Sequence, residues 1–274
     1  MSDLVRDLTV LVTGATDGIG RLTAGALAQA GARVIVHGRD PAKVDHVVAA
    51  LRAASGAADG AVADLASLAE TARLARDVAG RGPLDVVVNN AGVGFGADHA
   101  RREVSRDGFE LRLAVNYLAP FVLLRELGAR GAPRRAIVNV ASIGQEAIDL
   151  GDLQALHGYD GVRAYRRSKL ALVMLTFDLA AARPDLPCVC LHPGTLLDTN
   201  MVREGVGRSL GPASRGAEAT MAVIDRALRG ATGEYFDQET PTRANDQAYD
   251  EAFRARLRAA TLALVEPLAA GWGA

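Results

Sequence analysis

Tyr165 and Lys169 stand four residues apart in the run Ala164-Tyr165-Arg166-Arg167-Ser168-Lys169-Leu170. The surrounding segment, Gly161 to Ala182, repeats its apolar residues at helical spacing (Leu170, Val173, Met174, Phe177), so the two side chains share a helix face about one turn apart. A free phenol, with a pKa of about 10, is a poor proton donor or acceptor at neutral pH. An ammonium one turn away favours the phenolate and is expected to lower that value toward a useful range. The chain has 31 basic residues, yet Lys43 and Lys169 are its only lysines. A solvated helix face would carry the same pair, so the rest of the chain has to decide what the pair does.

The elements around this helix read as a repeated strand-helix unit. Leu8-Val12 is expected as a strand, Ile19-Ala30 as a helix ending at Gly31, Arg33-His37 as a strand and Pro41-Ala54 as a helix. A short strand, Ala61-Ala63, leads to helix Leu68-Ala79, and Leu84-Asn89 is the continuous apolar run of a strand covered on both faces. A helix Phe109-Gly128, strand Ala136-Ala141, the Tyr165 helix and strand Pro187-His192 follow. The tail holds an irregular lid-like stretch near 195–212, helix Ala213-Arg229, strand Glu234-Phe236 and a helix near Gln247-Val265. Such units with right-handed crossovers predict a Rossmann-type α/β fold: a doubly wound parallel sheet of about seven strands, order 3-2-1-4-5-6-7, in a single domain spanning 1–274.

Composition narrows the setting. Hydrophobic residues are 49% and charged residues 23%, with a net charge of -1, which leaves no strong field for nucleic acid or an acidic membrane. No leader or spanning segment is read at the N-terminus, so a cytoplasmic, membrane-free protein is expected. Cys188 and Cys190 would share one face of a strand, as buried thiols in a reducing compartment, and no metal site is expected from them.

Between the first strand and first helix stands Thr13-Gly14-Ala15-Thr16-Asp17-Gly18-Ile19-Gly20. Glycines there allow a tight turn and close backbone approach, and the helix N-terminus offers N–H groups to a pyrophosphate. The spacing, G-x-x-x-G-x-G, differs from G-x-G-x-x-G, but its place after the first strand marks a dinucleotide site. After the second strand comes Gly38-Arg39-Asp40, where an arginine suits a ribose 2'-phosphate and a carboxylate a free hydroxyl. Ser142 ends a strand beside the expected crevice, where a hydroxyl could hold a carbonyl oxygen near Tyr165.

The ordered set Thr13-Gly14 to Gly20, Asn89-Asn90-Ala91-Gly92, Asn116, Ser142, Tyr165-x-x-x-Lys169 and Pro193-Gly194 resembles the short-chain dehydrogenase/reductase family, from Leu8 to at least Met201. Asp107-Gly108-Phe109-Glu110, Val115-Asn116-Tyr117-Leu118, the run Tyr165 to Leu172, and Leu191-His192-Pro193-Gly194 are similar to its retinol-dehydrogenase-like branch. The resemblance implies hydride transfer between a nicotinamide and a carbonyl or carbinol carbon, with the tetrad Asn116, Ser142, Tyr165 and Lys169. Tyr165 would move the proton, Lys169 would hold the nicotinamide ribose, and Asn116 would anchor a water linking Lys169 to solvent. It implies cofactor contacts from Gly14, Thr16, Asp17, Gly18, Ile19, Gly20, Arg39, Asp64, Leu65, Asn90, Ala91, Gly92, Pro193 and Gly194. Thr199, or else Thr195, would meet the carboxamide.

Gly38 at the family's acidic position and Arg39 beside it favour NADP(H), with NAD(H) the alternative; Asp17 departs from members with a base there. Assembly into a homo-oligomer is expected through helices 109–128 and 161–182, whose apolar positions exceed one buried face. The expected substrate is an uncharged, moderately hydrophobic carbonyl or alcohol. A non-redox isomerase or cyclase and a cofactor-binding sensor are the competing functions.

Overall fold

A computed structural model of the chain describes residues 3–55 and 57–269. Eight strands form one sheet in the order β3-β2-β1-β4-β5-β6-β7-β8. They are β1 (Thr9–Val12), β2 (Arg33–Gly38), β3 (Ala58–Val62), β4 (Val86–Asn89), β5 (Ala136–Val140), β6 (Cys188–His192), β7 (Tyr235–Asp237) and β8 (Thr240–Thr242). All neighbours pair in parallel except β7 with β8. The chain direction across the sheet reverses between β1 and β4, which opens a crevice at their carboxyl ends. The register Val12↔Val36 and Val12↔Val88 keeps those ends level, so the turns that follow β1, β2 and β4 meet.

Residues alternate between two cores along each strand. Val10, Val12, Val34, Val36, Val86 and Val88 belong to one, and Leu11, Ile35 and Val87 to the other. That alternation explains the unbroken apolar runs of the central strands, since both faces are covered. Helices α1 (Gly18–Gln29), α2 (Pro41–Ser55) and α8 (Ala213–Leu228) cover the first face. Helices α3 (Leu68–Ala79), α5 (Ala119–Gly128), α6 (Gly161–Ala182) and α9 (Glu251–Ala269) cover the second.

Four local features differ from the sequence expectation. β3 begins earlier than 61–63, because its inner residues Asp59 and Gly60 give no apolar run; Asp59 is held instead by Arg33 and Arg52. β8 is an extra edge strand with every residue exposed and Pro241 at its centre, so no burial pattern marks it. The helix expected over 109–128 is broken: a short α4 (Leu111–Leu113) and α5 flank a wide π turn, Ala114–Leu118. The stretch 195–212 contains a short helix, α7 (Asn200–Gly205), capped by Thr199, whose oxygen accepts from Val202 N.

The surplus apolar positions of α6 are used within the chain. Phe177 meets the Tyr249 ring at 5.3 Å, Asp178 holds Arg254 and Arg258 of α9, and Tyr117 shares a hydrogen bond with Thr261. At these points α6 and the π turn meet the 246–249 turn and α9 of the same chain.

Candidate active site

The turn after β1 is shaped by main chain. Gly14 and Gly18 have φ of 63° and 50°, the left-handed region that glycine tolerates. At Gly20 an added Cβ would lie 2.3 Å from both Gly14 O and Asn90 Nδ2. Asn90 closes the turn from the β4 side, donating its amide to Thr13 O and Gly14 O, while Thr13 Oγ1 accepts from Asn90 N and Ala91 N. His37 holds the third side: Gly14 N donates to its Nδ1 at 3.2 Å, and its Nε2 reaches Ala63 O at 3.1 Å. Those contacts fix the neutral Nε2–H tautomer, and burial pushes the imidazole pKa down to about 4. Thr13 enters the sequence reading only as the first residue of the glycine octet, and His37 only as the end of the second strand; a polar residue at a strand end gives no signal of this task.

Asp17 caps α1, accepting from Gly18 N at 2.7 Å, and its other oxygen accepts from Asn200 of α7. Its carboxylate thus faces the lid rather than the end of β2. The remaining early amides of α1, those of Ile19 and Gly20, keep the polarity that suits a diphosphate.

At the end of β2, Gly38 has no room for a side chain: an added Cβ would lie 2.5 Å from Thr16 Cγ2. An acidic residue cannot occupy that position without moving Thr16. Arg39 is exposed and makes no hydrogen bond or ion pair among the described residues, and Asp40 caps α2. Asp64 forms a turn with Ala66 N and lies 3.6 Å from Arg106, and Leu65 is buried in the core.

The candidate tetrad gathers at the ends of β5 and α6. Lys169 is buried; its Nζ donates to Val140 O at 2.8 Å and lies 5.8 Å from the Tyr165 ring centre. Burial lowers its pKa to about 8. The Tyr165 phenol is pushed up from its ordinary value by burial, with the Ser142 hydroxyl pulling the other way. The sequence expectation, a phenol lowered by Lys169, is therefore reversed here. The ammonium turns toward Val140 O and is itself short of solvent, so desolvation outweighs attraction. Ser142 is fixed through its main-chain carbonyl, which accepts from Tyr235 Oη at 3.0 Å and Gln145 Nε2 at 2.9 Å.

Asn116, fully buried in the π turn, spends both amide hydrogens on Val93 O and Ser168 Oγ, and its Oδ1 accepts from Val93 N. Its side chain ties the loop after β4 to α6. Gly92 lies between the two groups: an added Cβ would be 3.2 Å from Asn116 Oδ1 and 3.4 Å from Lys169 Nζ. Asn89 hydrogen-bonds Asn139 across the sheet, a structural role.

After β6, His192 Nε2 pairs with Thr195 Oγ1 at 3.1 Å, Pro193 is buried and Gly194 has φ 130°. Thr199 caps α7 and lies against Gly18, where an added Cβ would be 3.0 Å from Thr199 Cγ2. Both threonines border the crevice. The described residues hold no cluster suited to a metal ion, and none of their helices is long and apolar enough to cross a membrane.

The sequence model described as short chain dehydrogenase matches residues 8–207. A Streptomyces protein (strain C5) provisionally named daunorubicin C-13 ketoreductase DnrU is 35% identical over 94% of this chain and 92% of its own length. Mouse retinol dehydrogenase 14 is 35% identical over 76% of this chain and 65% of its own. A crystal structure described as a short chain dehydrogenase of Escherichia coli CFT073, complexed with NADPH, superposes with TM-score 0.67 at 27% identity, covering 86% of this chain and 98% of that one. The chain belongs to the short-chain dehydrogenase family, among its retinol-dehydrogenase-like members.

Proposed function

We propose that this short-chain dehydrogenase is an NADP(H)-dependent carbonyl reductase in which Tyr165 is the proton donor. The observation that carries the reading is the meeting of Ser142, a half-buried Tyr165 whose phenol is shielded from water, and a buried Lys169 beside a glycine turn that leaves no room for a Cβ at Gly20. A nicotinamide cofactor, when bound, supplies or accepts the hydride.

The donor set fits such a cofactor. The amides of α1, with the turn around Gly14, Thr16 and Gly18, suit the diphosphate. Asp64, the Leu65 main chain and Ala91 would border the adenosine. Lys169 and the main chain at Asn90 would meet the nicotinamide ribose, and Thr195 or Thr199 the carboxamide. The free guanidinium of Arg39 beside a sterically closed Gly38 supports a 2'-phosphate. Asp17, directed to Asn200 and Gly18, does not oppose that charge at the β2 end.

The residues act in a definite order. Ser142 Oγ, presented by a carbonyl clamped between Tyr235 and Gln145, hydrogen-bonds the substrate oxygen. Tyr165, kept protonated by burial, gives its proton to that oxygen as negative charge develops there. The protonated phenol is the form that donation to a carbonyl oxygen requires. Lys169 supplies positive charge beside the resulting phenolate. The segments 93–97 and 196–208 present partly exposed apolar groups, Phe95 and Met201, which supports an uncharged, moderately hydrophobic substrate. Steady-state oxidation of NADPH against a panel of ketones and aldehydes tests the reading. Consumption of NADPH tied to alcohol formation is expected; turnover of a carbonyl with no net change in nicotinamide would reject it.

A further inference from the structure

Five of the six phenylalanines, Phe109, Phe121, Phe177, Phe236 and Phe253, are buried in the two cores. Phe95 belongs to neither core and is partly exposed. Its ring stands edge-on to the Tyr165 ring, with centres 4.9 Å apart and planes at 89°. The other side of the crevice closes on the same loop. A methyl group on Gly205 of α7 would lie 3.4 Å from Phe95 Cδ2, and one on Gly94 would lie 2.6 Å from Met201 Cγ. Phe95 thus sits between the candidate proton donor and the lid helix.

Its position is held on purpose-built backbone. Gly94 O accepts from Nε of Arg112, a buried guanidinium that also contacts Glu103, Glu110 and Tyr159. Gly96, on the other side, has φ 86° and no space for a Cβ, which would fall 2.4 Å from Arg112 Nη2. At Gly161, the first residue of α6, an added Cβ would fall 2.3 Å from Phe95 O. The Phe95 ring also stands edge-on to His99, with centres 5.9 Å apart. Rigid aromatic side chains aimed into a cleft are the usual anchors for a ring in the ligand.

We propose that Phe95 is a specificity-determining residue, its ring forming one wall of the substrate space and selecting carbonyl compounds that carry an aromatic ring next to the carbonyl. The proposal rests on the carbonyl-reductase reading above. Ring-to-ring packing beyond simple area burial corresponds to a preference of about two- to tenfold. Phe95→Leu keeps an apolar side chain but removes the ring; Phe95→Ala removes the wall.

The test compares acetophenone with its saturated counterpart, cyclohexyl methyl ketone, using NADPH and the unaltered protein and both variants. NADPH affinity is measured on the same samples and is expected to be unchanged, which shows that each variant is folded. Phe95→Leu is expected to lower the ratio of kcat/KM for the aryl over the saturated ketone about two- to tenfold. Phe95→Ala should raise KM for both. An unchanged ratio in Phe95→Leu, or an equal fall in kcat on both ketones, would mean that Phe95 only supports Tyr165 and would overturn the proposal. If the unaltered protein binds NADPH but reduces neither ketone nor any other carbonyl, the reductase reading itself falls and the proposal with it.

Discussion

The turn after β1 and the face of α6 border the same crevice, but they are made of different material. At the turn, the shape comes from glycine backbone, and the nearby side chains of Thr13, His37 and Asn90 are spent holding that backbone in place. At α6 the backbone is an ordinary helix, and the chemistry lies in side chains removed from water. The first arrangement leaves N–H groups facing outward and suits binding an anion whose charge does not change. The second shifts proton affinities, which a proton transfer requires. Damage at the turn should therefore appear in cofactor binding and stability, and damage on α6 in turnover.

Lys169 breaks that separation, and its removal should have the largest combined effect. It touches Val140 O, lies near Tyr165 and faces Gly92. Lys169→Ala should lower turnover by about 10²–10⁴-fold and also weaken NADPH binding. Lys169→Arg should rescue poorly, since a planar fork cannot place its charge where the compact ammonium sat. With a pKa near 8, the ammonium loses its charge as pH rises through that value in the cofactor-free protein. Binding titrations across pH should show affinity falling there, and the step should vanish in Lys169→Ala. Full retention of binding would restrict Lys169 to the proton transfer.

At the turn, His37 offers a stability test. Its pKa in the fold, about 4, lies below its ordinary value of 6.5, so the unfolded chain binds more protons between those values. Stability should be full above about pH 6.5 and decline as pH falls toward 4, by on the order of 3 kcal/mol for this group. Denaturant unfolding of His37→Gln should show a flatter pH dependence in that window, and an unchanged slope would contradict the neutral tautomer.

Arg39 should have a more local effect. Removing an exposed arginine–phosphate contact should cost about 1.5–3 kcal/mol, roughly ten- to a hundredfold in affinity for NADPH, with little change for NADH. Equal binding of both cofactors by the unaltered protein would reject the assignment. The smallest expected signal concerns assembly. Assembly through helices 109–128 and 161–182 should appear as a homo-oligomer by sedimentation at micromolar concentration, and a monomer would reject it. Protection of α5 and α6 from hydrogen exchange in that assembly would locate the contact.

These contrasts also explain what could be read in advance. The central strands and α3 and α6 were legible because burial on two faces, or along a helix, leaves long apolar patterns. That the glycine turn, Ser142, Tyr165 and Lys169 border one crevice was legible from their places at strand ends and on one helix turn, together with the family resemblance that orders them. β8, α7 and the start of β3 were not, since each is short, polar or held by single contacts such as Asp59 with Arg33. The direction of the Tyr165 shift was also out of reach. Sequence separation gives the Tyr–Lys distance along a helix, but it gives neither the burial of both groups nor the turn of Nζ toward Val140 O.

The central claim, that Tyr165 is the proton donor of a carbonyl reductase, is tested most directly by Tyr165→Phe. The substitution keeps the ring that packs against Phe95 and removes only the hydroxyl. NADPH affinity and single-turnover reduction of a good ketone would be measured on the same sample. The account predicts unchanged affinity and a rate lower by about 10²–10⁴-fold. Near-full hydride transfer by Tyr165→Phe would contradict it and move attention to the neighbouring His192.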